Sequence, residues 1–188
     1  MTSDALSRRS SNLRILAGRW KGRALRVPGA ARPTSSRARE ALFDILRDSI
    51  PGIRVLDLFA GSGAVGLEAL SRGAASAVFV ENDSKALEAN VGALGAGRGE
   101  VEILGGDARR AIATLLERGD RFGLVFADPP YALAGALSRP IASLLEPDGR
   151  LVLQTDTDAR PPEPAGLALL ERRTYGRNVF SFFARAEA

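Results

Sequence analysis

VLDLFAGSGAVG, residues 55–66, reads as a short buried strand, a glycine loop and the first turn of a helix. Val55, Leu56, Leu58 and Phe59 form the apolar run. Gly61, Gly63 and Gly66 give a backbone that can turn tightly and be approached by a ligand. Asp57 interrupts the run. A carboxylate in a buried strand is costly unless satisfied, so it belongs near the strand's carboxyl end, facing a ligand, where open α/β sheets bind them. Gly61-x-Gly63-x-x-Gly66, with Glu81 about 20 residues past the first glycine, fits the dinucleotide fingerprint. The spacing does not separate a nicotinamide cofactor from another adenosine-bearing one, and a glycine turn made only for packing stays open.

Strands and helices alternate beyond this point. The patterns predict strands over 54–59, 77–81, 100–104, 122–127 and 150–154, and helices over 64–72, 84–94, 108–117 and 134–145. Pro147-Asp148-Gly149 reads as a turn into the fifth strand. Such alternation specifies parallel βαβ units with right-handed crossovers. Residues 167–174 and 178–184, joined at Tyr175-Gly176-Arg177, predict a closing antiparallel hairpin. Upstream, Ala38, Ala41, Leu42, Ile45 and Leu46 define one face of a helix over 36–49, which Pro51-Gly52 stops. Leu13 to Val27 predicts a β-hairpin with Trp20 and Lys21 near its tip.

The 188 residues suffice for one domain with a substantial core. There is no cysteine and no histidine, which excludes disulfides, thiolate metal sites, cysteine nucleophiles and Ser-His-Asp chemistry. Acid–base work falls to Asp, Glu, Tyr, Lys or the backbone. No apolar run reaches membrane-spanning length and no secretory leader is visible, so a cytoplasmic protein is expected. The net charge of +4 is unevenly placed. Ten cations and no acid lie between Ala5 and Arg39. That asymmetry points to a nucleic-acid-facing end, with a solvated tail as the alternative. Arg14, Arg19, Trp20, Lys21 and Arg23 are the candidate RNA contacts. Trp20 either stacks on a base or packs onto the hairpin, packing being commoner for so large a side chain.

Four acids stand where strands end, Asp57, Glu81, Asp107 and Asp128, and a doubly wound sheet lines them along one crevice. Glu81, followed by Asn82, suits a ribose hydroxyl. Asp107 either caps the next helix or meets an adenine edge. The sharpest signal is Asp128-Pro129-Pro130-Tyr131, directly after Leu124-Val-Phe-Ala127. Two prolines remove two N–H donors and leave adjacent carbonyls without secondary-structure partners. A carboxylate, a carbonyl and an aromatic ring fixed together match a planar base with an exocyclic amine: two acceptors for its protons and a ring to stack on.

With these features the sequence resembles the class I S-adenosylmethionine-dependent methyltransferases, and more closely the bacterial RsmD-type 16S rRNA guanine-N2 methyltransferases. The resemblance runs through RILAGRWKGRALRVP, RPTSSRAREALFDIL, DLFAGSGAVGLEALSRGA, VFVENDSKA, ADPPY and RTYGRNVFSFF. It implies a Rossmann-like, mostly parallel seven-stranded sheet with the last strand antiparallel. An N-terminal basic extension (1–34) would precede the methyltransferase domain (35–188). Asp57 and the backbone of Phe59, Ala60, Gly61 and Gly63 would hold the methionine part of S-adenosylmethionine, Glu81 with Asn82 the ribose, and Asp107 or Ala108 the adenine. Thr34 and Arg39 match a segment close to the cofactor. Ser35-Ser36 and Asn178 depart from the pattern expected of the family.

The expected activity is methyl transfer to the N2 amine of a guanine in small-subunit rRNA, free or in an assembling 30S particle, by a monomer without metal. Asp128 and the Pro129 carbonyl would hold the amine, with Pro130 and Tyr131 completing the catalytic tetrad. Adenine-N6 methylation on RNA or DNA, a nicotinamide-dependent oxidoreductase and a non-catalytic assembly factor are the alternatives.

Overall fold

The computed structural model describes residues 13–29, 34–129, 141–159 and 163–186. Its element order is α1 (Ser36–Ile45), β1 (Arg54–Leu58), α2 (Ala64–Ser71), β2 (Ser76–Glu81), α3 (Lys85–Leu94), β3 (Val101–Gly105), α4 (Ala108–Glu117), β4 (Phe122–Ala127), β5 (Leu145–Asp156), β6 (Leu167–Tyr175) and β7 (Asn178–Arg185). A short 3₁₀ turn, Arg47–Ser49, follows α1, and another, Ile141–Leu144, leads into β5. The strands form one sheet in the order β3-β2-β1-β4-β5-β7-β6. β1 to β5 are parallel, and β7 lies antiparallel between β5 and β6. This is the seven-stranded sheet with an antiparallel last strand that the resemblance implies.

Two apolar layers sandwich the sheet. Phe79, Phe126, Phe180 and Phe182 meet Leu42, Phe43, Leu67 and Leu87 on one face. Leu56, Leu58, Val125 and Leu153 meet Ile112, Leu115, Ile141 and Leu144 on the other. Strands covered on both sides must be apolar throughout rather than alternating, as the burial of β1, β2 and β4 shows.

Three elements differ from their sequence patterns. α1 ends at Ile45 rather than running to Ser49. Its buried residues are Ala38, Arg39, Leu42 and Phe43, a face rotated one position from the apolar stripe, because Arg39 is drawn inward by groups described below. β5 begins at Leu145: Pro147-Asp148-Gly149 is a bulge within it, where the pairing with β4 jumps from Leu145 to Arg150. The hairpin over 13–27 is short and irregular: Leu25 N–H donates to the Leu13 carbonyl (2.9 Å), Ile15 N–H to the Arg23 carbonyl (3.0 Å) and Gly22 N–H to the Ile15 carbonyl (2.8 Å), around one antiparallel bridge, Arg14 to Ala24. The helix expected over 134–145 lies outside the described residues up to 140.

The hairpin's alternation survives nonetheless. Leu13, Ile15 and Leu25 point into the first apolar layer, while Arg14, Arg23 and Arg26 are exposed. Its tip is irregular because its donors go to α2. Leu16 N–H (2.7 Å) and Ala17 N–H (3.0 Å) donate to the two Glu68 carboxylate oxygens. Arg19 N–H donates to the Ser71 carbonyl (2.9 Å) and Trp20 N–H to Ser71 Oγ (3.0 Å). Gly18, at φ +78°, passes so close that a Cβ would lie 1.7 Å from the Ser71 carbonyl oxygen.

Candidate active site

The carboxyl ends of the strands bring together Asp57, Glu81, Asp107 and Asp128, the crevice that α/β topology prescribes. The three fingerprint glycines do different things. A Cβ on Gly66 would stand 2.3 Å from the Phe79 ring and one on Gly63 2.4 Å from Leu87, so both are required by packing of α2 and α3 against the sheet. Gly61, at φ +54°, has nothing within 4 Å of a Cβ position. Its main chain faces open space, and it is the glycine a ligand can approach. Phe59, just before it, holds φ +63°, a left-handed conformation that costs a bulky residue about 1–3 kcal/mol and gathers at functional turns.

The carboxylates around this loop hold it in shape. Glu81 accepts the Gly61 N–H at 2.6 Å and the Asp83 N–H at 3.2 Å. Asp57 is buried beneath the loop and accepts the Gly66 N–H at 2.9 Å. Burial pushes its carboxyl up to about 7; that hydrogen bond opposes the rise, and Asp128 and Glu81 reinforce it. Asp107 caps α4, with Oδ1 accepting from Arg109 N–H (2.8 Å) and Arg110 N–H (3.3 Å). The cap thus prevails over the adenine-edge alternative for that oxygen. Ala108 is buried behind it and Asn82 is exposed.

Asp128 follows β4 and is partly buried, with its acidity reduced: burial and the nearby Asp156 charge raise its carboxyl to about 6. Its Oδ2 accepts from Gln154 Nε2 at 3.0 Å. Gln154 also donates to Asn178 Oδ1 (3.2 Å) and accepts from the Thr34 hydroxyl (2.9 Å). Thr34 therefore stands beside the Asp128 end of the crevice. Pro129 is partly buried, and Pro130 and Tyr131 lie outside the described residues.

Arg39 is placed differently from its partner in the sequence pattern. It is 0 % exposed and donates through Nη2 to the Arg14 carbonyl at 2.5 Å, with Nε 4.0 Å from Glu68. Burial lowers its pKa, and Glu68 counters that. Its contacts among the described residues are with the arm and α2, and through them the guanidinium anchors the arm. Trp20 takes the packing alternative: the residue is 9 % exposed and lies in the core, with the Arg19 guanidinium 4.0 Å from its ring centroid. Arg14, Arg19, Lys21 and Arg23 are exposed. Arg19 pairs with Glu100 at 2.8 Å, and Arg23 donates to the Ala93 carbonyl.

Sequence reasoning passed over Gln154, Asn90 and Glu68. Asn90 is buried, exchanges two hydrogen bonds with the Arg26 backbone (2.7 and 2.9 Å) and donates to the Ser62 carbonyl in the glycine loop (2.9 Å). Each has a legible signal, a single polar residue in an apolar run: AVGLEAL, ANVGAL and LVLQ. The chain leaves the hairpin beside the glycine loop, at Arg26, and is next held at Thr34 beside Asp128. The arm thus frames the crevice at two points.

The comparisons with known proteins agree with this geometry. The family model described as Conserved hypothetical protein 95 matches residues 13–184. The chain belongs to this family. Ribosomal RNA small subunit methyltransferase D of Escherichia coli is 37 % identical over 188 residues, which cover 94 % of this chain and 91 % of that one. A solved structure of a hypothetical protein from Thermus thermophilus is 42 % identical with a TM-score of 0.77, covering 92 % of this chain and 99 % of that one. A tRNA (guanine(6)-N2)-methyltransferase, also of Thermus thermophilus, is 35 % identical over 144 residues, 68 % of this chain and 42 % of that one. The RsmD-type resemblance read from the motifs is therefore a family membership, and the chain is a methyltransferase.

Proposed function

We propose that this enzyme transfers a methyl group from S-adenosylmethionine to N2 of a guanine in small-subunit rRNA, acting in the cytoplasm on free rRNA or an assembling particle. The observation that carries the reading is Asp128: a partly buried carboxylate at the crevice, one oxygen fixed from behind by Gln154, followed by a proline carbonyl.

The residues present fit that cofactor. The Gly61 backbone is open to an approaching ligand, and Glu81 stands at its N–H with acceptor oxygens suited to ribose hydroxyls. The Phe59–Gly63 backbone and Asp57 would take the methionine part, and Ala108 would border the adenine. Bound there, S-adenosylmethionine supplies an electrophilic methyl group. The chain's own work falls on the other reactant. A guanine amine is a poor nucleophile because its lone pair is delocalised into the ring. Asp128 and the Pro129 carbonyl accept its two protons, turn the lone pair out of conjugation and hold it in line. Asp128 acts ionised, above its pKa of about 6, and takes the proton as charge develops on nitrogen. Discrimination against adenine requires a further acceptor for guanine N1–H, since adenine offers an acceptor at that place. The basic outer face of the arm, Arg14, Lys21, Arg23 and Arg26, supports RNA contact through phosphates.

Calorimetry with S-adenosylhomocysteine and with NAD, together with labelled methyl transfer to small subunits lacking the modification, tests the reading. Binding of the first and incorporation of label are expected. Binding of NAD alone, or no incorporation, would refute it.

A further inference from the structure

Gln154 ends the apolar run of β5, two residues before the strand finishes at Asp156, and it is 6 % exposed. Its amide has two protons and an acceptor oxygen, and all are engaged. Nε2 donates to Asp128 Oδ2 (3.0 Å) and to Asn178 Oδ1 (3.2 Å), and Oε1 accepts from the Thr34 hydroxyl (2.9 Å). Turning the amide over would set its oxygen against two other oxygens, one of them a carboxylate, so this network has one sense when Asp128 is ionised. A carboxylate free to rotate would present either oxygen, or both, to a substrate amine. With Oδ2 tethered from inside, the plane is fixed and Oδ1 is the oxygen left to the crevice.

We infer that Gln154, itself oriented by Thr34 and Asn178, is a positioning residue that sets the carboxylate plane of Asp128 and reserves one oxygen for the target amine. This rests on methyl transfer to an amine as proposed above. It also gives Asn178 a part, as the second acceptor on Gln154. Thr34 acts through the same amide rather than on the cofactor.

The test combines activity with a readout that needs no substrate. In Gln154→Leu the tether is lost and its volume nearly kept. The kcat for methyl transfer should fall about 10- to 100-fold, the cost of a loosened reacting geometry, with KM for both substrates within about twofold. The Asp128 carboxyl, followed by carbon NMR in the cofactor-free protein, should titrate about half a unit higher, since a hydrogen bond to its charged form is gone. Thr34→Val should move both in the same direction by less. Gln154→Glu is the second variant: it can bond Asp128 only by sharing a proton, so the pair should titrate in two steps and the acid limb of kcat should rise by about a unit or more. An unchanged Asp128 titration in Gln154→Leu, or an unmoved acid limb in Gln154→Glu, overturns the inference. So does a loss of kcat that tracks a loss of Tm and of S-adenosylhomocysteine binding. Wild-type enzyme without transferase activity would refute the proposed function, while the titration would still decide the role of Gln154.

Discussion

Two carboxylates, Glu68 fully buried and Asp128 partly buried, lie on opposite sides of the same functional question. Glu68 receives Leu16 N–H, Ala17 N–H and Arg72 Nε at 2.7–3.0 Å, with Arg39 behind. Every lone-pair direction it needs is filled, and what it does is hold the arm against α2. Asp128 has one tether from Gln154 and a carboxyl raised to about 6. One acid is satisfied by the fold, while the other, among the described residues, keeps acceptor capacity on its second oxygen. Satisfaction distinguishes a structural charge from a working one better than burial does.

The largest expected effect is at the working acid. Asp128→Ala should lower kcat by about a thousandfold or more, since it removes both an aligned acceptor and a proton acceptor. Asp128→Asn should be impaired almost as severely, and calorimetry should find S-adenosylhomocysteine affinity within about twofold of wild type for both. Turnover above a tenth of wild type in Asp128→Ala would erase the contrast with Glu68. The structural acid should behave in the opposite way. Glu68→Ala leaves Arg39 without its counter-charge and should cost on the order of 3–5 kcal/mol in urea unfolding. Amide exchange should quicken first at residues 16–20. Loss of activity with unchanged stability would move Glu68 into the crevice chemistry.

The Asp128 side of this contrast was readable before any coordinates, and the Glu68 side was not. The glycine loop, the strand-end acids and the Asp128-Pro129 signal are local: spacing and residue type suffice to place them on a strand-loop-helix unit. The strand order follows because the alternation leaves few topologies. The contacts of Arg39 were not readable. Whether a cation faces solvent or the core depends on a partner far along the chain, here Glu68, and periodicity averages over such pairs. Asp107 shows the same limit at short range, since a cap and a ligand contact ask for the same residue at the same place. Gln154 was missed because an amide has no charge to draw attention, although a polar residue at the end of an apolar strand is the same signal that revealed Asp57.

Smaller effects sharpen the picture. Reversing the charges of Arg19, Lys21 and Arg23 should weaken RNA binding and flatten its salt dependence, each lost phosphate contact lowering the slope by roughly 0.7–0.9. Arg19 and Arg23 also have intramolecular partners, so the fold should be checked by Tm; an unchanged slope in a folded variant would remove this face from the RNA interface. Asp57→Asn bears on the fold. A carboxyl whose pKa is raised on folding binds more protons in the native state, so its contribution to stability falls as pH climbs from about 4 towards 7. The variant should gain stability over wild type at pH 8, by up to about 4 kcal/mol, and little at pH 4. An equal difference at both pH values would contradict the assignment. The smallest shift belongs to Asp156→Asn. Burial is the larger cause of the raised Asp128 carboxyl, and removing the Asp156 charge that adds to it should lower the acid limb of kcat/KM from about 6 by a fraction of a unit.

The central claim is that the crevice beside Asp128 methylates guanine N2 in small-subunit rRNA. The most direct measurement is mass spectrometry of nucleosides digested from small subunits that lack the modification and are then incubated with enzyme and S-adenosylmethionine. N2-methylguanosine should form with the wild-type protein and be absent with Asp128→Ala. N6-methyladenosine as the sole product, or N2-methylguanosine formed equally by the variant, would contradict the account.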